Sequence, residues 1–330
     1  LRTDADLMAR HYGRQSRTSL RGLHQTIGAG GAAGYTLLKN LPRTEPAGFY
    51  AKQFRRRWMS YSATGPFIID PRNLPPESEV AYVSCGVPHD FSTRVVNEVR
   101  EALERASFIG LRDEESADKL RRAGVKRELH VAPDLTVTLS DQFDREDLTR
   151  RGREIVSRFG VSAELPLICL QSQPYPGFHE ADIISELRRY QQKRDVDIVA
   201  LPLGYCHGDH EFLQSLARQS GGMIKYADVY SVFDMLAIIA ASDVFVGTSL
   251  HGNITAFSFG IPHVIGPLPV AKTIGFLEVA SLPADLRMES WQELDEKIEG
   301  AVKLGRDYFL NKASAAKLRT YQLLDEMGRG

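Results

Sequence analysis

The sequence predicts an α/β protein with two Rossmann-like, doubly wound domains that face a cleft. The chain has 330 residues, which is long for one hydrophobic core, and its 43% hydrophobic and 25% charged content is typical of a globular protein. From residue 80 onward, short apolar runs alternate with amphipathic segments, a pattern that indicates βα units around a mostly parallel sheet. This series starts again after Gly160, so we expect one domain over residues 1–160 and a second over residues 161–305.

The first domain becomes readable only after a stretch, residues 1–78, that is rich in Gly, Arg and Pro. We predict strands at residues 80–85, 107–111 and 129–132 and helices at residues 92–106 and 114–123. Asp113 is a suitable N-cap for the second helix, and Gly124 is placed to end it.

The second domain is preceded by a charged helix over residues 145–159 and begins with an apolar strand at residues 165–170. The elements predicted after it are helices at 180–193, 211–219, 231–241 and 250–259 and strands at 196–202, 223–226 and 243–247. Gly260 and Pro262 stop the last of these helices. Further helices are expected within residues 291–327, and we predict that residues 306–330 cross back to the first domain.

Composition narrows the class of protein. The three cysteines form no CxxC pair, which argues against a disulfide framework or a zinc knuckle and favours a cytoplasmic protein. No apolar run approaches the roughly 20 residues that span a bilayer. No nucleic-acid-binding motif is present, and the sequence pI is about 6.8, so we expect no nucleic acid partner.

Positive charge is concentrated near the start of the chain. Residues 1–60 carry eleven Lys or Arg against three Asp or Glu, although the net charge of the chain is −1. Segment 52–58 combines four of these cations with two aromatic residues, which suits peripheral contact with an anionic membrane or a lipid-linked diphosphate. A solvated helix face is the alternative interpretation.

The most informative segment is a strand, polar turn and short helix over residues 243–262. Thr248 and Ser249 can cap the helix, so its first backbone N–H groups and partial positive charge would lie beside His251. Such a helix start suits a phosphate or carboxylate, and the histidine could also pass a proton. A capped histidine with a purely structural role is the alternative.

Other polar residues follow predicted strands, where α/β proteins bind ligands. Arg112 offers a planar fork for a carboxylate or phosphate, unless it is only an exposed partner of Asp113 or Glu115. Asp134 could hold Arg112 or accept a sugar hydroxyl, or it could be a simple turn residue.

Four further residues are candidates for contacting a sugar. Gln171 ends a strand of the second domain, and His89 follows a strand of the first. His207 and Asp209 crowd one loop, and because they would need help from elsewhere to bind a metal, we expect substrate binding and no metal.

Several of these segments resemble the polysaccharide pyruvyltransferase family, including the xanthan-type ketal pyruvyltransferases. The resemblance is carried by residues 241–262 with their Leu250-His251-Gly252 core and Gly-Ile-Pro ending, by 110–116, by 131–134, and by 201–204 with 207–209. These segments span roughly residues 80–280.

The resemblance implies a GT-B-like fold and a phosphoenolpyruvate donor, with no other cofactor. The acceptor implied is a lipid-linked oligosaccharide, modified by a cyclic pyruvate ketal. A location of this acceptor at the inner face of the cytoplasmic membrane would suit the basic residues 55–57. The donor site would comprise Arg112 and the turn residues Thr248, Ser249, Leu250 and Gly252, with His251 and Arg112 catalytic. Many members carry an arginine at the position of Ser249, so other cations must bind the donor here.

The acceptor side would comprise His89, Asp134, Gln171, His207 and Asp209.

Two other functions remain open from the residues alone. A glycosyltransferase using a nucleotide sugar would need the same architecture and the same helix start at a phosphate. A non-catalytic scaffold would keep the fold and use the basic N-terminal region to dock on a membrane-bound assembly.

Overall fold

The computed structural model describes residues 68–69, 71–93, 95–204, 208–268 and 271–328. The basic segment 52–58 and His207 lie outside the described residues. In the described part, the strands form two parallel sheets, one of three strands and one of five. The predicted α/β fold with parallel sheets is confirmed.

The first sheet contains three strands in the order β1-β2-β3. These are β1 (Ala81–Cys85), β2 (Phe108–Leu111) and β3 (His130–Val131), and the helices beside them are α1 (Val96–Leu103) and α2 (Glu114–Arg122). The helix predicted over residues 92–106 is shorter, because its ends unwind into turns with i to i−3 hydrogen bonds. Asp113 caps α2 as predicted, accepting a hydrogen bond of 2.7 Å from the Ser116 N–H.

The second sheet has five parallel strands in the order β6-β5-β4-β7-β8. They are β4 (Leu167–Gln171), β5 (Asp197–Ala200), β6 (Ile224–Tyr226), β7 (Val244–Gly247) and β8 (His263–Ile265). The apolar strand β4 is central and fully buried. The strand order reverses between β4 and β7, and ligands of open α/β sheets bind outside the carboxyl ends of the strands at such a point.

The helices that come after the first sheet in the chain pack on the second sheet. They are α3 (Leu139–Gln142), α4 (Arg145–Ser157), α5 (Glu180–Gln191), α6 (Asp209–Gln219), α7 (Val232–Ala241), α8 (Leu250–Ser258), α9 (Ala271–Val279), α10 (Leu294–Leu304) and α11 (Arg306–Met327). Strand β8 and helix α9 fall where the sequence predicted no element. Among the described helices, none combines the length and the hydropathy needed to cross a membrane.

Two helices bear on the domain boundaries. Helix α4 precedes the predicted boundary at residue 160, yet Gly152 packs against the backbone of Ala237 in α7, on the second sheet. Helix α11 buries Phe309 in the core of the second sheet and Leu323 beside Phe108 of the first. The boundaries remain predictions, and the position of α4 favours an earlier limit for the second domain.

A buried histidine makes stability depend on pH. His263 is fully buried among three phenylalanines, its Nδ1 lies 3.0 Å from the Ile261 carbonyl oxygen, and its Nε2 has no partner among the described residues. Burial lowers the pKa of His263 from 6.5 to about 4, so between these values the unfolded chain binds more protons than the native one.

We therefore expect His263 alone to lower the free energy of unfolding by about 3 kcal/mol as the pH falls from 6.5 to 4. Urea unfolding across this range measures the loss. A His263→Phe variant should lose stability less steeply, because its ring has no proton to bind. Equal slopes in the two proteins would contradict the assignment.

Candidate functional site

The turn between β7 and α8 lies at the point where the strand order reverses. Ser249 caps α8, its Oγ accepting a hydrogen bond of 3.2 Å from the Gly252 N–H, as the sequence predicts. The Asn253 side chain donates to the carbonyl oxygens of Gly247 and Ser249 at 2.8 Å each. A Cβ added at Gly252 would lie 2.5 Å from the Phe245 ring, so glycine allows this close packing. The turn is therefore held from several sides.

Gln171, at the end of β4, connects this strand to the turn after β7. Its side chain is buried, and its Oε1 accepts hydrogen bonds from the Ser249 N–H at 2.7 Å and the Thr248 hydroxyl at 3.3 Å. Its Nε2 donates to the buried Asp209 at 2.6 Å, and Asp209 also accepts from the Gly204 N–H at 2.9 Å. Gln171 and Asp209 thus organise the site internally, and their predicted contact with a sugar remains a prediction.

Three predicted residues from separate segments meet beside this turn. Arg112 follows β2, Asp134 follows β3, and His251 lies in the first turn of α8. The Arg112 Nη1 lies 3.4 Å from the Asp134 Oδ2, and the same oxygen lies 3.7 Å from the His251 Nε2. Thr136 donates to the other oxygen from its N–H at 3.0 Å and its hydroxyl at 2.7 Å. Asp134 therefore links the arginine to the histidine.

The charge of Asp134 sets the electrostatics of this group. Burial raises the pKa of the Asp134 carboxyl, but the adjacent His251 and the hydrogen bonds from Thr136 outweigh burial and hold the pKa well below its usual range. Asp134 is therefore an anion at neutral pH. It lies beside the His251 Nε2, on a side chain that is 48% exposed.

The Arg112 side chain is closely packed, but its hydrogen bonding is incomplete. Its Nε is buried and has no hydrogen-bond acceptor among the described residues, the nearest charge being the Asp113 Oδ2 at 3.8 Å. Its guanidinium lies against Gly86, where an added Cβ would come within 2.5 Å of the Nε. A buried donor without an acceptor is costly, and a bound anion would satisfy it.

Gly86→Ala is therefore expected to displace the Arg112 side chain. We expect the binding of phosphoenolpyruvate, the donor that the family resemblance implies, to weaken about tenfold, with little change in melting temperature, because the methyl group meets the end of a flexible side chain. Calorimetric titration with the donor and a melting curve test this. A variant that binds the donor as tightly as the wild type would show that the Gly86 contact is unimportant.

Ser84 is a residue that the sequence did not single out. Its φ of 58° lies in the left-handed region, beside a register irregularity between Tyr82 and Cys85. Its Oγ accepts a hydrogen bond of 2.8 Å from the Leu135 N–H, directly after Asp134. The strained residue thus helps to position the carboxylate.

The predicted acceptor residue His89 belongs to the part of the chain that forms the first sheet. His89 is exposed on the loop after β1, where Lys119 donates to the carbonyl oxygens of Val87 and Pro88. No hydrogen bond or ion pair between described residues joins His89 to His251. Within the described ranges, no group of three or more His, Cys, Asp or Glu side chains is placed to hold a metal ion.

A small pocket lies beside the group formed by Arg112, Asp134 and His251. The loops after β2 and β3 supply Arg112 and Asp134, helix α8 supplies Leu250, and helix α9 supplies Lys272 and Phe276. Both sheets therefore contribute to one charged pocket. Lys272 lies in the region for which the sequence predicted no element.

Solved structures similar to this one share its fold. Alr3699/HepE of Anabaena in complex with UDP is 15% identical, with a TM-score of 0.55 over 86% of this chain and 81% of that chain. UDP-N-acetylglucosamine 2-epimerase from Rickettsia bellii is 11% identical, with a TM-score of 0.53 over 86% and 78%. A glycosyltransferase from Rickettsia africae is 15% identical, with a TM-score of 0.52 over 74% and 66%. These neighbours have the GT-B-like fold that the sequence resemblance implies.

The sequence comparisons assign the chain to a family, which the shared fold does not do. No curated protein matches it. Residues 38–265, more than half of the chain, match the family described as polysaccharide pyruvyl transferase. This match includes Arg112, Asp134 and His251, and it shows that the chain belongs to the polysaccharide pyruvyl transferase family.

Proposed function

We propose that this enzyme transfers the pyruvyl group of phosphoenolpyruvate to two hydroxyls of one sugar, forming a cyclic ketal. The acceptor is a lipid-linked exopolysaccharide repeat unit, bound in a cleft between two domains. The observation that carries the proposal is the meeting of Arg112, Asp134 and His251 beside the capped start of α8. Membership of the pyruvyl transferase family supports the type of reaction.

The donor is strongly anionic, and the site offers matching groups. Arg112 presents a buried Nε that lacks an acceptor, and the start of α8 adds backbone N–H groups with the positive end of the helix dipole. These groups suit the phosphate and carboxylate of phosphoenolpyruvate. Such fixed donors also stabilise charge that develops during the reaction.

In the first step, one sugar hydroxyl attacks C2 of phosphoenolpyruvate while protonated His251 gives its proton to the C3 methylene. A C–O bond forms, the C2–C3 double bond becomes a single bond, and the hydroxyl proton leaves to solvent. Anionic Asp134 stabilises the imidazolium that this step requires. The product is a tetrahedral adduct that still carries phosphate.

In the second step, the C2–O bond to phosphate breaks and inorganic phosphate leaves. The oxocarbenium-like carbon is attacked by a second hydroxyl of the same sugar, and neutral His251 accepts the proton of that hydroxyl. The ring closes to the ketal, and the histidine regains the proton that it gave in the first step. One residue thus serves as acid and then as base.

His89, which is exposed on the loop after β1, would contact the acceptor. The basic segment 52–58, which lies outside the described residues, would contact the anionic inner face of the cytoplasmic membrane that carries the acceptor. Vesicle co-sedimentation with and without anionic lipid tests this contact.

The reaction itself is tested with phosphoenolpyruvate and an extract of lipid-linked oligosaccharides. Phosphate release together with the mass gain of a pyruvate ketal is expected from the wild type. His251→Ala should show neither, and its donor binding reports that the site is still formed. Phosphate release without the mass gain would contradict transfer to a sugar.

A nucleotide-sugar glycosyltransferase is the second candidate, favoured by the fold shared with Alr3699/HepE, which was solved with UDP. A helix start suits a diphosphate as well as a phosphate. Stabilisation against heat by UDP but not by phosphoenolpyruvate, with no phosphate release, would favour this candidate. A protein that responds to neither would point to the scaffold function.

A further inference from the structure

The donor site lacks a cation that the resemblance leads one to expect. Many family members carry an arginine at the position of Ser249, and here the serine side chain is used to cap α8. Arg112 is the cation that the sequence indicated in its place. It faces two carboxylates, Asp113 at 3.8 Å and Asp134 at 3.4 Å.

The formal charges around Arg112 show why this residue alone is insufficient to attract a phosphate. One guanidinium beside two carboxylates leaves this corner of the pocket with a formal charge of −1, which repels a phosphate. Asp134 remains ionised, and Asp113 is committed as the N-cap of α2. Another cation that faces the same pocket would offset this negative charge.

Helix α9 brings that cation to the pocket. Lys272, Phe276, Val279 and Ala280 all line it, and their spacing places them on one face of the helix. The helix is docked tightly, because a Cβ added at Gly275 would lie 2.8 Å from the Asp113 Cβ. The docking of α9 against the residue after Arg112 thus places Lys272 in the pocket that Arg112 lines.

We propose that Lys272 is the second cation of the donor site and binds the phosphate group together with Arg112. With Arg112, Asp113 and Asp134, Lys272 brings the formal charge of the pocket lining to zero. A lysine acts as a point charge on a flexible stem, which suits a phosphate, whereas the planar Arg112 suits the carboxylate. The assignment to phosphoenolpyruvate rests on the proposed function.

The test compares three variants of the full chain. Lys272→Gln removes the charge, Lys272→Arg keeps it, and Lys303→Gln removes an exposed charge on α10 as a matched control. Calorimetry measures the affinity for phosphoenolpyruvate and for inorganic phosphate. Lys272→Gln should bind both at least about tenfold more weakly, with the loss shrinking at high salt, while Lys272→Arg largely restores binding.

Kinetics provide a second readout. For Lys272→Gln we expect the KM for phosphoenolpyruvate to rise about tenfold with kcat changed only a few fold, because Lys272 binds the donor and does not transfer a proton. A purely structural role would lower the melting temperature and would not be rescued by Lys272→Arg in this selective way.

The outcomes separate this inference from the proposed function. If the wild type binds phosphoenolpyruvate and Lys272→Gln binds it equally well, the Lys272 assignment is overturned while the proposed function stands. If the wild type binds only inorganic phosphate and Lys272→Gln loses that binding, Lys272 is supported as the phosphate cation and the proposed donor is wrong. A wild type that binds neither ligand overturns both.

Discussion

His251→Ala is expected to lower kcat by about 10²- to 10⁴-fold, the range typical of a lost general acid or base. His251 is half-exposed, and the Ser249 cap and Asn253 hold its helix, so the fold should persist. Initial rates of phosphate release measure the loss. His179→Ala, at another exposed histidine, is the control and should remain near the wild type.

Asp134→Asn provides a second test of proton transfer by His251. The amide cannot stabilise the imidazolium, so we expect a lower kcat in initial rates of phosphate release. A His251→Ala enzyme that turns over at nearly the wild-type rate, with normal donor affinity, would rule out the histidine as the proton-transfer group.

Arg112→Met is expected to lower kcat/KM for phosphoenolpyruvate by about 10²-fold or more, mainly through the donor KM. The change removes a charged donor and leaves Asp113 and Asp134 without their cation, which adds repulsion toward the donor. Steady-state kinetics over a range of donor concentrations measure the effect. Arg121→Met, at an exposed arginine of α2, is the matched control.

Arg112→Lys should recover only part of the loss, because lysine lacks the planar fork. Melting temperatures show whether the folds of these variants are intact. An Arg112→Met enzyme with an unchanged donor KM and a lower kcat would assign the arginine to the transition state instead of donor binding.

Much of the fold and part of the site could be predicted from the sequence. Four of the five strands of the second sheet, β4 to β7, were readable because they are short apolar runs between amphipathic helices. The caps at Asp113 and Ser249 were readable because they depend on local hydrogen bonds. Helix α9 was missed, and with it Lys272. Its sequence is apolar over much of its length, so it lacks the polar face that reveals a surface helix.

Local pattern by itself determined the α/β class, the order of the elements apart from elements such as β8 and α9, and the candidates Arg112, Asp134 and His251. Propensity, capping and strand ends act over a few residues, so a local pattern can reveal them. The tertiary structure alone decided which candidates meet. It joined Arg112 to His251 through Asp134, committed Gln171 and Asp209 to internal hydrogen bonds, and brought Lys272 to the same pocket. These contacts link residues far apart in the chain, and they depend on how the sheets and helices pack, which no local pattern encodes.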